Sequence, residues 1–366
     1  MDRALITKFR EEVNDQNLVI QMYRNRNGKA LWNIICSAMD WIDVVVDSID
    51  IHKLSRGNDN DASVRMMTFI VCVDVLWESV QQLHRVIFDT KDVPFQADTS
   101  IFRHKLFPTT DNNYFKTIRA CFATHPINLN DQFSGDNKKE KRYASWSGGS
   151  TGNGDFAVFL YSNHPEHEPL TLNIYFDELL DFAKVRYSHL QTIMREIKRQ
   201  KDNYLDCWRK QIIPVSNDPL EQIKILAHEV EQRYHYSDYY RYEVEKLRII
   251  FETDITNPRN KKIVKNYRDA LLSEVKELHI TLQRMTCAEL ESERNIDDSC
   301  PFNCHYAFSK LSDAVYGNGD AALIDVESLR LYLKSWIDFS EICSIEELYT
   351  VVCAGFFAMN TSKNNG

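Results

Sequence analysis

The sequence predicts a mainly α-helical protein: a helical bundle carrying a small β-hairpin insertion, followed by a second all-helical region. Three observations carry this expectation. The chain is poor in helix breakers, with 11 glycines and 9 prolines in 366 residues, against shares of roughly 7% and 5% in ordinary proteins. Its apolar residues recur at three and four over long runs, the spacing of one helix face. Strict two-residue alternation is confined to 156–176. Hydrophobic residues make up 43% and charged residues 27%, enough apolar mass for real cores. Wholesale disorder, collagen-like repeats and turn-rich all-β architectures are excluded.

The first long helix is expected over about Lys29 to Ile51, where Leu31, Ile34, Ile35, Met39, Ile42, Val45, Val46 and Ile49 form the apolar face. A polar break, Ser55 to Ala62, separates it from a second helix running to Phe88 with Met66, Phe69, Ile70, Val73, Leu76, Val80, Leu83 and Ile87. Two such helices joined by a short polar loop begin an antiparallel bundle. A third, short helix follows over about Asn113 to Thr124 and stops at His125-Pro126, because the residue before a proline is pushed out of the helical region. Residues 127–155 are polar and irregular. Phe156, Val158 and Leu160, then Leu170, Leu172, Ile174 and Phe176, alternate with their neighbours around the turn-like SNHPEHEP and predict a hairpin over 156–176. A long amphipathic helix is expected from Asp177 to about Ile212. Pro214 to Pro219 reads as a linker, dividing a domain over 1–213 from a helical one over 218–366. In the latter, helices are expected over about 220–253, 259–291, 303–316, 325–340 and 344–359.

The formal net charge is −9, so a generally basic nucleic-acid coat is excluded and any such contact needs a local patch. The two most apolar segments are each interrupted by three charges, Asp40, Asp43 and Asp47 in one and Asp74, Glu78 and Arg85 in the other. Neither reads as a membrane span, and no signal-peptide-type stretch opens the chain. Nine scattered cysteines, an odd number, suit a reduced, cytoplasmic chain better than a disulfide framework.

One segment carries candidate chemistry. YFKTIRACFATHPINL, residues 114–129, places Arg119 six positions before His125. On an ideal helix six residues leave two side chains roughly 120° apart, so they share a face only if His125 has left the helix, as Pro126 favours. Were the helix to continue, His125 would instead extend the apolar line Ile118, Cys121, Phe122. The window 101–150 holds eight Lys/Arg and four Asp/Glu, a basic island in an acidic chain, as a phosphate-binding surface requires.

The R-x5-H spacing at a helix end, after two long helices, resembles the HEPN superfamily, helical-bundle domains whose signature is Arg, four to six residues, then His. The resemblance covers roughly residues 20–135. It implies a metal-independent ribonuclease that works as a homodimer and needs no cofactor, of a kind found in toxin, phage-defence and RNA-processing systems. It also implies that Arg119 and His125 are the catalytic pair. Ala120 stands where family members often carry Asn. The residues suit the chemistry: an imidazole with an unperturbed pKa near 6.5 can move the proton of a ribose 2′-hydroxyl. A guanidinium can hold the phosphate as its charge grows. Arg103 and Lys116 are candidate supporting phosphate contacts. The alternative is a non-catalytic helical module that dimerises and binds protein, RNA or nucleotide.

Other motifs are weaker. Cys300-Pro-Phe-Asn-Cys304-His305 lacks the second ligand pair of a structural zinc site. His228-Glu229 lacks the second histidine of a zincin, and the glycines of SGGSTGNGD lack the Gly-Lys of a phosphate loop. The tyrosines at 234, 236, 239, 240 and 242 suit helix packing better than a platform for bases. Arg259, Lys261, Lys262, Lys265 and Arg268 form a second basic stretch, read first as a solvated face although positive charge at a helix start opposes the helix dipole. The 218–366 region is otherwise open to a protein partner.

Overall fold

The computed structural model describes residues 1–55, 59–124, 140–146, 153–234, 238–286 and 300–364. The protein is mainly helical with a small three-stranded antiparallel sheet. It divides into two compact units, Met1–Asp202 and Asn203–Gly366.

Unit one begins with two helices that the sequence reading did not anticipate. In α1 (Ala4–Asn14) Ile6, Phe9 and Val13 are buried at helical spacing, and α2 spans Leu18–Tyr23. The expected first long helix is α3 (Leu31–Val45), tightened into a 3-10 turn over Val46–Ser48. Its acidic edge faces α1: Arg3 pairs with Asp43 and Asp47, and Arg10 with Asp40. The charges that ruled out a membrane span therefore tie two helices together. The expected second helix is α4 (Asn60–Phe88), capped by the Asp59 carboxylate, which accepts from the Ala62 N–H. The third is α5 (Asp111–Arg119), capped by Thr110 and continued by a π-turn over Ala120–Thr124.

The hairpin is present as β2 (Phe156–Ser162) and β3 (Leu170–Ile174), paired Phe156 to Ile174 and Leu160 to Leu170. It gains a strand outside the expected range, β1 (Arg142–Ser145), antiparallel to β2. Four residues, RYAS, are too few to show an alternation. Phe156, Val158, Leu160, Leu172 and Ile174 are buried. The π-turn docks against this layer, with the Phe122 ring stacked on Trp146 and tilted against Phe156.

The long amphipathic helix is two helices, α6 (Phe176–Ser188) and α7 (Leu190–Lys210). They meet at His189, whose N–H donates to the Arg186 carbonyl in a tight turn. Its ring lies 3.0 Å from His84 of α4 and edge-on to Phe95. One turn earlier, Arg186 is fully buried, with its guanidinium over the Phe182 ring and one hydrogen bond to Asn112.

The boundary between units falls within α7, ahead of the expected linker at Pro214–Pro219. The reason is packing: late residues of α7 belong to unit two. The Tyr204 hydroxyl donates to the Arg233 carbonyl, while the Arg233 guanidinium donates to the Trp208 and Gln211 carbonyls and lies over the Trp208 ring.

In unit two the expected 220–253 helix is α8 (Pro219–Arg233), capped by Asp218, and α9 (Asp238–Glu252). Then come α10 (Pro258–Arg284), capped by Asn257, α11 (His305–Val315), α12 (Val326–Leu333) and the apolar α13 (Ile345–Asn364). α10 ends with Met285 in the left-handed region, short of the expected 291. Of the five tyrosines, Tyr234 and Tyr240 are buried and stacked on each other, and Tyr242 lies against Tyr316; Tyr236 lies outside the described residues. No helix among the described residues is long and apolar enough to cross a membrane.

The His84–His189 pair makes stability depend on pH. Burial lowers the proton affinity of both rings, and that of His189 falls to a pKa of about 4, with nearby His84 adding to the effect. The unfolded chain therefore binds more protons than the folded one between about pH 6.5 and pH 4. The neutral ring's contribution is complete above pH 6.5 and is lost as pH falls toward 4. Thermal unfolding at pH 7 and pH 4.5 should show a smaller pH-dependent drop in midpoint for His189→Gln than for the native chain; an identical drop would refute this role.

Candidate active site

Arg119 is the last residue of α5. Both it and Lys116 stand in the final turn, where the partial negative charge of the helix end favours cations. The Arg119 side chain reaches α4, and its Nη1 donates to Asp74 Oδ1 at 2.9 Å. The pair is partly buried, at 31% and 25% side-chain exposure, and Arg119 Nε is buried without a hydrogen-bond partner. Asp74 had registered in the sequence only as a charge inside an apolar helix. Its oddness there was the one available signal that it had a partner.

His125 lies outside the described residues. The described approach to it does change the expected geometry. From Ala120 the backbone is a π-turn, wider than an α-turn, so the 120° separation of an ideal helix does not carry forward from Arg119. Two residues of this turn are anchored. Cys121 and Phe122 are buried, and burial pushes the Cys121 thiol up to about 12, which makes it an inert core group rather than a nucleophile.

Lys116 is exposed. Arg103 is also on the surface but is already engaged: its Nη2 meets Asp177 at 2.6 Å, and its Nε and backbone N–H both approach Glu178 Oε1. The same oxygen lies 2.7 Å from His104 Nδ1, and the His104 ring stacks on Tyr175. Glu178 is buried at the first turn of α6. One carboxylate oxygen thus gathers three donors and clamps the 103–104 segment to α6. An acceptor-only partner places a proton on His104 Nδ1. Two carboxylates beside one guanidinium leave no excess positive charge there to draw a phosphate. The role of Arg103 in this structure is therefore the clamp. The sequence carried no sign of it, because its members lie 74 and 75 positions apart.

The basic island of 101–150 is likewise altered by folding. Lys105 pairs with Asp111, Arg119 with Asp74, Arg103 with Asp177 and Glu178, and Arg142 with Glu140. Three of those carboxylates come from outside the window. Of its described cations, Arg103, Lys116 and Lys141 are exposed, and Arg103 is held by Asp177 and Glu178. Among the described residues no group of three or more His, Cys, Asp or Glu is arranged to hold a metal ion. No family model matches the chain, and no curated protein or solved structure matches it either.

The Asp74–Arg119 contact is intermediate between a surface pair, worth about 0–1 kcal/mol, and a buried one, whose rupture costs about 3–5 kcal/mol. A double-mutant cycle of Asp74→Asn and Arg119→Gln, read by urea unfolding, should give a coupling of about 1–2 kcal/mol. A coupling indistinguishable from zero would show that the contact contributes nothing to stability.

Proposed function

We propose that the protein is a metal-independent endoribonuclease that cleaves RNA by attack of a ribose 2′-hydroxyl on the neighbouring phosphate, with Arg119 and His125 as the working pair and a homodimer as the working form. The observation that supports this most is the setting of Arg119. Its guanidinium is oriented through one nitrogen by Asp74, yet the side chain keeps about a third of its surface. A guanidinium held this way meets a phosphate without first losing the freedom of a long side chain. In this reading it stabilises the charge that gathers on the phosphate oxygens. His125, six residues on, exchanges the proton of the 2′-hydroxyl. Bond formation between the 2′-oxygen and phosphorus expels the 5′-oxygen of the next nucleotide, which takes a proton. The products are a 2′,3′-cyclic phosphate and a 5′-hydroxyl. A place in a defence or toxin-type system belongs to the same reading.

A second reading, a non-catalytic helical interaction module, is favoured by a different observation. Ile34, Trp41 and Val44 are exposed along one stripe of α3, and Val64 and Val71 along one stripe of α4. Trp41 alone keeps 53% of its surface. Exposed apolar stripes of this kind suit a protein partner or a second copy.

Single-stranded RNA incubated with the protein in excess EDTA separates the two. The nuclease reading expects cleavage with cyclic-phosphate ends. It also expects a loss of about a hundredfold or more in His125→Ala and Arg119→Ala, with circular dichroism unchanged. Equal activity in all three proteins, or none in the native chain, would leave the interaction module.

A further inference from the structure

The second basic stretch acquires a shape in unit two. Lys261, Lys265 and Arg268 stand at i, i+4 and i+7 of α10, on one face of the helix. All three line one cleft of about 610 Å³. Their Cα positions span about 10 Å along the helix. Arg268 is fixed at the wall: its Nε and Nη2 donate to the carbonyls of Ile250 and Thr253 at the end of α9, and the Phe251 ring lies 6.0 Å from its guanidinium carbon. Lys261 and Lys265 are exposed, and neither forms an ion pair among the described residues, although Asp254 and Asp269 line the same cleft. Asp254 acts on Arg268 instead, so the two lysines offer their charge to something else.

We propose that this cleft binds a nucleoside phosphate. Lys261 and Lys265 take the phosphates, since an ammonium is a compact donor for phosphate oxygens. The half-buried Phe251 ring, with Val264 and Leu272 beside it, supplies an apolar face for the base. Asp254 and Asp269 accept from ribose hydroxyls or base amino groups. The volume falls in the range of small-molecule sites, roughly 300–1,000 Å³. The same two carboxylates disfavour a continuous polyanion: a nucleic-acid backbone passing the lysines would also pass them, whereas a single nucleotide can turn its neutral sugar toward them.

Isothermal titration calorimetry on the full chain tests this, with ATP, GTP, CTP and UTP each as titrant and with adenosine, inorganic tripolyphosphate and a single-stranded RNA oligonucleotide alongside. Saturable binding of at least one triphosphate is expected, together with a weakening of about tenfold or more in Lys261→Gln/Lys265→Gln. Phe251→Leu should weaken the triphosphate more than it weakens tripolyphosphate. Adenosine alone should bind far less well. Both lysines are exposed, so the double variant keeps its fold, which an unchanged melting midpoint verifies. Absence of saturable triphosphate binding, or equal affinity in the double variant, overturns the proposal. RNA binding lost in that variant without any triphosphate binding overturns it in favour of a polymer surface. Arg119 and His125 are untouched by these substitutions, so RNA cleavage by the double variant is read independently of its nucleotide affinity.

Discussion

A carboxylate in the middle of an apolar helix has to be answered, and in the first unit Asp74 is answered by Arg119. Removing either partner leaves the other charge partly buried and unmatched, which costs more than breaking a fully exposed pair. The contact therefore fixes how the end of α5 meets α4. The π-turn begins at the next residue, Ala120, and carries Phe122 into the layer formed with Trp146 and Phe156. The candidate chemistry hangs on the same contact. One edge of the guanidinium is spent on orientation, and what remains is what could face a phosphate.

The same logic governs the rest of the unit. Glu178 is buried and satisfied by Arg103 and His104. Asp111, at no measurable exposure, meets Lys105 and the N–H groups of Ile101 and Phe102, and these donors hold its carboxyl below the usual range although burial pushes the other way. Each acid sits at the first turn of a helix, where the positive end of the peptide dipoles favours it. These charges are the fastenings of the loop between α4 and α5.

The two basic regions of the chain come out differently. The one at 101–150 is met by acids brought in from α4 and α6. The one at 259–268 keeps two lysines unpaired in a cleft that also holds carboxylates. Linear counts make both net basic, eight Lys/Arg to four Asp/Glu in the first and five to none in the second, and folding pairs off most of the described cations of the first. A count along the chain sums neighbours in sequence, while the field at a site sums neighbours in space.

Much of the helical frame was legible because its cause is local. Burial of Ile35, Met39 and Ile42 in α3, or of Phe69, Val73, Leu76 and Val80 in α4, follows from apolar residues at three and four, a pattern any single segment displays. The hairpin strands showed themselves through alternation for the same reason. α1 has eleven residues, α2 six and β1 four, so their periodic signals were too brief to read. The R-x5-H spacing marked Arg119, but Asp74 lies 45 positions away and Glu178 more than seventy from the residues it clamps. No local rule relates such distances. By itself the sequence determined which segments are helices and which faces they bury, because backbone hydrogen bonding and apolar periodicity are properties of neighbours along the chain. Only the tertiary structure decided which charges are spent on one another, which stay free and where one unit yields to the next, because those depend on groups meeting across the core.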